Sequence, residues 1–214
     1  HVRSRRQRQM CIRDSLCRPF SVADVFKAVN SMPSNKSHGP DGFTMEFFVA
    51  AWDVVGVDFS NAVMFFFQSN YMPRIISATA ITLVPKHKNA CKIADFRPIA
   101  CCNFIYKCIS KMLAYRLRIL IPSLISANQS AFVPKRLIGD NILLAQSLLR
   151  GYHLDFGPPR CTIKLDIRKA FDSVNWSFLF EVLRRMGFPM IFINWIRACV
   201  QSCMISVKIN GSLE

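Results

Sequence analysis

The chain has 214 residues, 51% of them hydrophobic, with 28 Lys and Arg against 13 Asp and Glu for a formal charge of +15. That length and apolar content exclude wholesale disorder and are enough for one good core or two small ones. The charge points to a polyanionic partner without choosing between nucleic acid, ribosome and anionic membrane surface. Nine cysteines, including the adjacent Cys101 and Cys102, show no Cys-x-x-Cys or Cys/His spacing. They argue against structural zinc and read as reduced, buried thiols of an intracellular protein.

In chain order, the first fifteen residues are set apart. Met10-Cys11-Ile12-Arg13-Asp14-Ser15 resembles the translation of a sequencing-library adapter, so residues 1–15 are expected to be non-native. Subtracting their four net charges from +15 leaves +11 in the body. Ser21 is placed to cap a helix to about Met32 on the apolar stripe Val22, Val25, Phe26 and Val29. The run from Ser34 to Gly42 reads as a loop, with Gly39 and Gly42 free to take positive φ and Pro40 fixing the bend. Phe43 to Phe67 is the most apolar stretch, but Glu46, Asp53 and Asp58 interrupt it. It reads as two helices, Thr44 to Val54 and Asp58 to Ser69, and not as a membrane span. Ile75 to Val84 reads as a strand.

Asn103 to Leu120 is the clearest helix, with Ile105, Cys108, Ile109, Met112, Leu113, Leu117 and Leu120 on one face and Lys107, Lys111 and Arg118 opposite. Arg116 projects among the apolar residues, where it either snorkels or meets a buried partner. Further helices are expected from Asp140 or Asn141 to Tyr152, from Val174 to Met186 and from Pro189 to Ser202. Ile205, Val207 and Ile209 alternate with polar residues before Asn210-Gly211, a hairpin signal. With only three residues beyond it, the hairpin predicts a sheet cut short.

The segment Lys164-Leu165-Asp166-Ile167-Arg168-Lys169-Ala170-Phe171-Asp172 carries the sharpest chemistry. Ile163, Leu165 and Ile167 alternate with Thr162, Lys164 and Asp166, so a period-two reading gives a strand with its carboxylate presented away from the apolar face. Asp172 stands before a helix and is read as its cap more readily than as a metal ligand. Upstream stand Leu83-Val84-Pro85-Lys86 with Asp95-Phe96-Arg97-Pro98-Ile99, and Gln129-Ser130-Ala131-Phe132-Val133-Pro134-Lys135-Arg136 with Asp140-Asn141-Ile142-Leu143.

Together and in this order these blocks resemble the reverse transcriptases. The Ser173-Val174-Asn175-Trp176 that follows looks like the plant branch of the non-LTR (LINE-type) retrotransposons. The resemblance spans about Pro19 to the end. It departs at His38, where proline is usual, and lacks the Gly-Asp-Pro-bearing and Ala-Asp-Asp-type motifs.

The resemblance implies an α+β fold: right-hand polymerase fingers plus partial palm, with helices packed on an incomplete antiparallel sheet. Residues 16–160 would be the fingers and start of the palm, and residues 161–214 a partial palm. It implies two Mg²⁺ ions in the intact parent, held in part by Asp166 and the backbone carbonyl of Ile167. Hard cations take oxygen ligands, and a pair ~4 Å apart activates the 3′-hydroxyl and holds the triphosphate. Lys86 and Arg97 would grip the triphosphate of the incoming nucleotide. Phe171 would exclude a 2′-hydroxyl, the rival reading being a core Phe. Gln129 and Arg136 would contact template or shape the site.

Partners implied for the parent are an RNA template, a DNA primer and deoxynucleoside triphosphates, with no membrane and a nuclear site of action. The chain by itself is expected to lack polymerase activity. The alternatives are a non-catalytic nucleic-acid-binding fragment and a helical interaction protein.

Overall fold

A computed structural model describes residues 15–152, 154, 161–167, 169–209 and 212–213. The proposed non-native segment therefore lies, but for Ser15, outside the described residues. The chain divides into two compact units, His1–Arg116 with Phe188–Glu214, and Leu117–Gly187.

In the first unit, helix α1 (Val22–Asn30) begins as expected. The Ser21 hydroxyl accepts from the Asp24 N–H while the Asp24 carboxylate accepts from the Ser21 N–H at 2.9 Å, a reciprocal capping box. Val25, Ala28 and Val29 are buried. Phe26, from the same stripe, instead leans half-exposed on the Trp52 ring at 5.3 Å.

Helices α2 (Met45–Ala50) and α3 (Trp52–Ser69) meet at Ala51, several residues earlier than the sequence suggested. Gly56 sits inside α3 because a Cβ there would fall 2.7 Å from the Trp52 ring. It is a packing glycine, not a helix breaker. Asn70, at φ 57°, ends α3 in the left-handed conformation. One helical turn, α4 (Arg74–Ser77), takes the start of the segment expected to be strand, and β1 (Ala78–Pro85) follows.

Strand β2 (Phe96–Cys102) returns antiparallel to β1, in a register running from Thr79↔Cys102 to Pro85↔Phe96. Helix α5 (Phe104–Leu124) begins as expected and continues past Pro122. Cys108, Ile109, Met112, Leu113 and Leu120 are buried, as the stripe required.

The basic side of α5 is partly spoken for. Lys107 Nζ donates to the Ser37 carbonyl at 2.8 Å and Lys111 Nζ donates to the Ser31 carbonyl. Arg116 finds its partner too. Its Nη1 donates to the Leu16 carbonyl at 2.7 Å, and its guanidinium carbon lies 3.2 Å from the centroid of the Phe20 ring. A guanidinium is weakly hydrated enough to stack this way.

Helix α8 (Met190–Gln201) joins this core, preceded in chain order by α6 (Ile138–Leu149) and α7 (Trp176–Arg185) of the second unit. Trp195 Nε1 donates to the Phe67 carbonyl at 3.0 Å and its ring meets Phe67 edge-on at 5.1 Å. Ser77 Oγ and Tyr106 Oη donate to the carbonyls of Ser202 and Cys199 at 2.7 and 3.0 Å. The first bond ties the end of α8 to the start of β1, and the second ties α8 to α5. Strand β3 (Met204–Ile209) thus enters alongside β1, and β4 (Ser212–Leu213) pairs back on it.

The sheet order is β2-β1-β3-β4. The α+β class holds, with one correction. The β1–β2 and β3–β4 pairings are antiparallel, but β1–β3 is parallel, with Ala78↔Met204 to Ile81↔Val207. The sheet is therefore mixed. A parallel neighbour needs a long crossover connection, which local alternation in the sequence does not reveal. The turn residues Asn210 and Gly211 lie outside the described residues, but the β3–β4 pairing they were expected to join is present.

The second unit contains the end of α5 with α6 and α7. Among its described residues the expected strand at 161–167 has no ladder partner, and Ile163, Leu165 and Ile167 are exposed. A period-two pattern becomes a two-faced strand only when a neighbour supplies hydrogen bonds and a layer covers one side. Ile142, Leu143, Leu144 and Leu148 on α6 are exposed as well.

Cys108 and Cys199 are buried, and burial pushes both thiols up to about 12. Cys91 and Cys161 are exposed, against the expectation of buried thiols throughout; the described cysteines are free.

Arg116→Ala removes a buried hydrogen bond, a cation–π stack and an aliphatic stem at once. It should lower unfolding free energy by about 2–3 kcal/mol in urea titrations. Arg116→Met, which keeps the stem, should lose less. Equal stability of all three proteins would show that this guanidinium contributes nothing to the core.

Candidate phosphate-binding and catalytic residues

The β1–β2 ladder decides where Lys86 and Arg97 stand. Arg97 is opposite Val84. Lys86 follows Val84 by two residues and continues the ladder, its N–H donating to the Asp95 carbonyl at 2.8 Å. Directly opposed residues share a face and residues two apart share a face. Lys86 and Arg97 are therefore diagonal neighbours on one side of the sheet, at the tip of the hairpin. Both are exposed. The two fingers cations singled out from the sequence are thus brought together.

The same face continues inward as the floor of a cleft of about 410 Å³, formed by Ala80, Thr82, Val84, Ile99 and Cys101. Residues 37–40 wall it, and Lys208 of β3 adds a third cation on its border. The wall is fixed by α5. Asn103, buried at the helix start, accepts from the Asp41 N–H at 3.2 Å and donates to the Ile75 carbonyl at 2.8 Å. Gly39 lies so close that a Cβ there would fall 2.1 Å from Asn103 Oδ1. Of the two loop glycines, only Gly42 takes positive φ, at 79°. Gly39 is required by close approach instead. His38, at the position where proline is usual, turns its Nδ1 to the Gly39 carbonyl at 2.7 Å.

In the second unit, Asp166 is exposed, as expected of a presented carboxylate, but it is carried by a segment that has no ladder partner among the described residues. Phe171 is 82% exposed and meets Phe132 edge-on at 6.3 Å. It is not a core residue. Phe132 is also exposed and holds φ 61°, uncommon for an aromatic residue. Sequence reasoning gave Phe132 no role, and nothing in its local pattern marks it.

Asp172 does not cap the following helix. The Asn175 side chain does so, accepting from the Phe178 N–H at 3.0 Å, while Asp172 lies in the turn that starts at Lys169. Both residue types cap well, and helix α7 starts later than the sequence suggested.

Arg136 is bound inward. Its Nη1 donates to the carbonyls of Ser126 and Gln129, and its Nη2 to those of Pro122 and Ile125 at 3.2 and 2.9 Å. These carbonyls lie at the end of α5 and just beyond, where a helix leaves its last acceptors unpaired. Gln129 donates through Nε2 to the Ala131 carbonyl at 3.2 Å. The two residues expected to serve template or site shape are thus joined through the Gln129 carbonyl.

Among the described residues no group of three or more His, Cys, Asp or Glu side chains could hold a metal ion. Asp166 offers a single carboxylate, so the residues described do not fit a two-ion centre. Among the described residues no helix is long and apolar enough to cross a membrane.

Residues 84–214 match the family model "Reverse transcriptase (RNA-dependent DNA polymerase)". The chain is 32% identical over 195 residues to the 149 kDa protein of transposon TX1 from Xenopus laevis, covering 91% of this chain and 15% of that protein. It is 27% identical over 164 residues to the Pol polyprotein of the type-2 retrotransposable element R2DM of Drosophila melanogaster, covering 76% and 15%. It is 26% identical over 196 residues to the R2 Pol polyprotein of Nasonia vitripennis, covering 92% and 18%. The chain belongs to the reverse transcriptase family, on its non-LTR retrotransposon side, and spans less than a fifth of the length of these relatives. Divalent metal ions, an RNA template and nucleotide substrates are general to that family.

Removing the α7 cap by Asn175→Ala should cost about 1 kcal/mol in chemical denaturation, whereas Asp172→Ala should stay within about 0.5 kcal/mol of the parent chain. The reverse order would return the cap to Asp172.

Proposed function

We propose that this reverse transcriptase chain supplies the fingers, residues 16–160, and part of the palm, residues 161–214, of a LINE-type RNA-directed DNA polymerase. The observation that carries this reading is the placement of Lys86 and Arg97 on one face of the β1–β2 hairpin. An Arg fork clamps phosphate oxygens bidentately while Lys supplies a mobile point charge. Such a diagonal pair suits the triphosphate of an incoming nucleotide.

In the intact parent, Asp166 and the Ile167 carbonyl would contribute to a site for two Mg²⁺ ions, the rest of which the described residues do not supply. Phe171, an exposed ring five residues after Asp166, would exclude a 2′-hydroxyl. Gln129 and the inward-bound Arg136 would shape the template side. The parent's partners would be its RNA template, a DNA primer and deoxynucleoside triphosphates, acting inside the cell and in the nucleus. The Ser173-Val174-Asn175-Trp176 run supports a place in the plant branch.

The 214-residue chain is expected to extend no primer. A protein carrying its natural downstream sequence is expected to do so and to lose the activity on Asp166→Ala. Primer extension by the 214-residue chain alone, abolished by Asp166→Ala, would overturn the assignment of an incomplete metal site.

A second reading, nucleic-acid binding without catalysis, is favoured by Lys208 on the cleft border and the two fingertip cations on the sheet face that continues into the cleft floor. Contacts to ~6 phosphates would give a log–log salt slope near −4 to −5. Affinity for single-stranded RNA independent of salt would remove it.

A further inference from the structure

We propose that Asp95 is the positioning residue of the fingertip phosphate clamp, holding the 86–95 loop so that Lys86 and Arg97 stay on one face. The inference rests on the triphosphate-binding reading of those two cations. A carboxylate here needs a reason. Placed beside a site for a tetra-anion, it opposes binding by simple repulsion, so its worth must lie in what it holds.

The geometry shows what that is. Asp95 Oδ2 accepts from the N–H groups of Lys92 and Cys91 at 3.0 and 3.2 Å, closing the 3-10 turn Ile93–Asp95. Oδ1 lies 3.7 Å from His87 Nε2. The Asp95 carbonyl accepts the Lys86 N–H at 2.8 Å, and Lys86 Nζ donates to the neighbouring Ala94 carbonyl. One residue therefore holds the loop's backbone at 91–92 through its carboxylate and the clamp lysine's backbone through its carbonyl. The N–H groups of Lys92 and Cys91, with His87 and Lys86 adding to them, hold the Asp95 carboxyl below the usual carboxylate range. Two residues on, Arg97 is already in the β2 ladder. The loop that Asp95 closes thus joins the two cations.

The consequence has a sign that electrostatics alone reverses. In the 214-residue chain, dTTP binding is measured by calorimetry for the parent and for Lys86→Ala, Arg97→Ala, Asp95→Ala and Asp95→Asn, with RNA affinity and thermal midpoint followed alongside. Asp95→Ala should weaken dTTP binding about tenfold, the scale of one charge-assisted hydrogen bond, while RNA affinity and midpoint stay near the parent's. Asp95→Asn keeps an acceptor for the two N–H groups and should remain within about threefold. On a Lys86→Ala background, Asp95→Ala should cost less than it does in the parent, because one of the two groups it positions is gone.

Tighter dTTP binding by both Asp95 variants would overturn the inference, leaving the carboxylate as a repulsive bystander. So would a full additive loss on the Lys86→Ala background. If Lys86→Ala and Arg97→Ala leave dTTP binding unchanged, the clamp reading itself fails and takes this inference with it. If they weaken binding and Asp95→Ala does not, only the inference fails.

Discussion

The antiparallel register of β1 against β2 is the constraint on which the candidate site depends. Arg97 faces Val84, and Lys86 follows Val84 by two residues. A slip of one residue would send Arg97 to the opposite face and leave Lys86 alone, because side chains alternate with a period of two. Two features oppose a slip. The hairpin is closed at its tip by the Asp95 turn, and at its base Thr79, opposite Cys102, is also paired to Ile205 of β3. Pro98 sits on β2, the edge strand, where a missing N–H costs no ladder bond.

Helix α5 plays the same part for the loop facing that sheet. Asn103, Lys107 and Lys111 recur every four residues, so they form one stripe along the helix. They take in turn the Asp41 N–H, the Ser37 carbonyl and the Ser31 carbonyl. The helix runs one way and the loop it grips runs the other. A segment with neither helix nor ladder to satisfy its backbone is thus fixed by side chains from a rigid element, as an ordered loop requires. Gly39 completes the arrangement by letting the backbone lie against Asn103 without a side chain between them.

What the sequence made legible was whatever repeats locally. The Ser21 cap, the buried stripe of α5, the turn at 34–42 and the alternation of β3 could all be read from neighbouring residues. What it hid was decided at long range. The parallel partnership of β1 with β3 joins segments more than a hundred residues apart. The partner of Arg116 is a carbonyl one hundred positions away. The stretch 161–167 shows the converse, since its alternation is as regular as that of β3, yet among the described residues β3 has a ladder neighbour and this stretch has none. Site residues followed the same division. Lys86 with Arg97 was legible through the motif resemblance alone, since strand β2, which brings them together, was not read from the sequence. Asn175 displaced Asp172 as a cap because helix α7 begins later than its hydrophobic pattern suggested, the kind of boundary a few residues of pattern do not fix.

The charge of the chain must be read the same way. A surplus of +15 suggests a broad phosphate-binding surface, but many of the cations are committed within the fold. Lys107, Lys111, Arg116 and Arg136 donate to backbone carbonyls, and Arg184 and Arg185 share the Glu181 carboxylate. A lysine or arginine bound to a carbonyl keeps its charge but holds it where the fold needs it. Its contribution to a polyanion then falls with distance over about one Debye length, ~8 Å at physiological salt. Among the cations gathered on one face of the sheet are Arg97 and Lys86 at the hairpin tip, the latter with its Nζ on the Ala94 carbonyl, and Lys208 stands on the cleft border. How many cations converge on one phosphate group is therefore set by strand register as well as by composition.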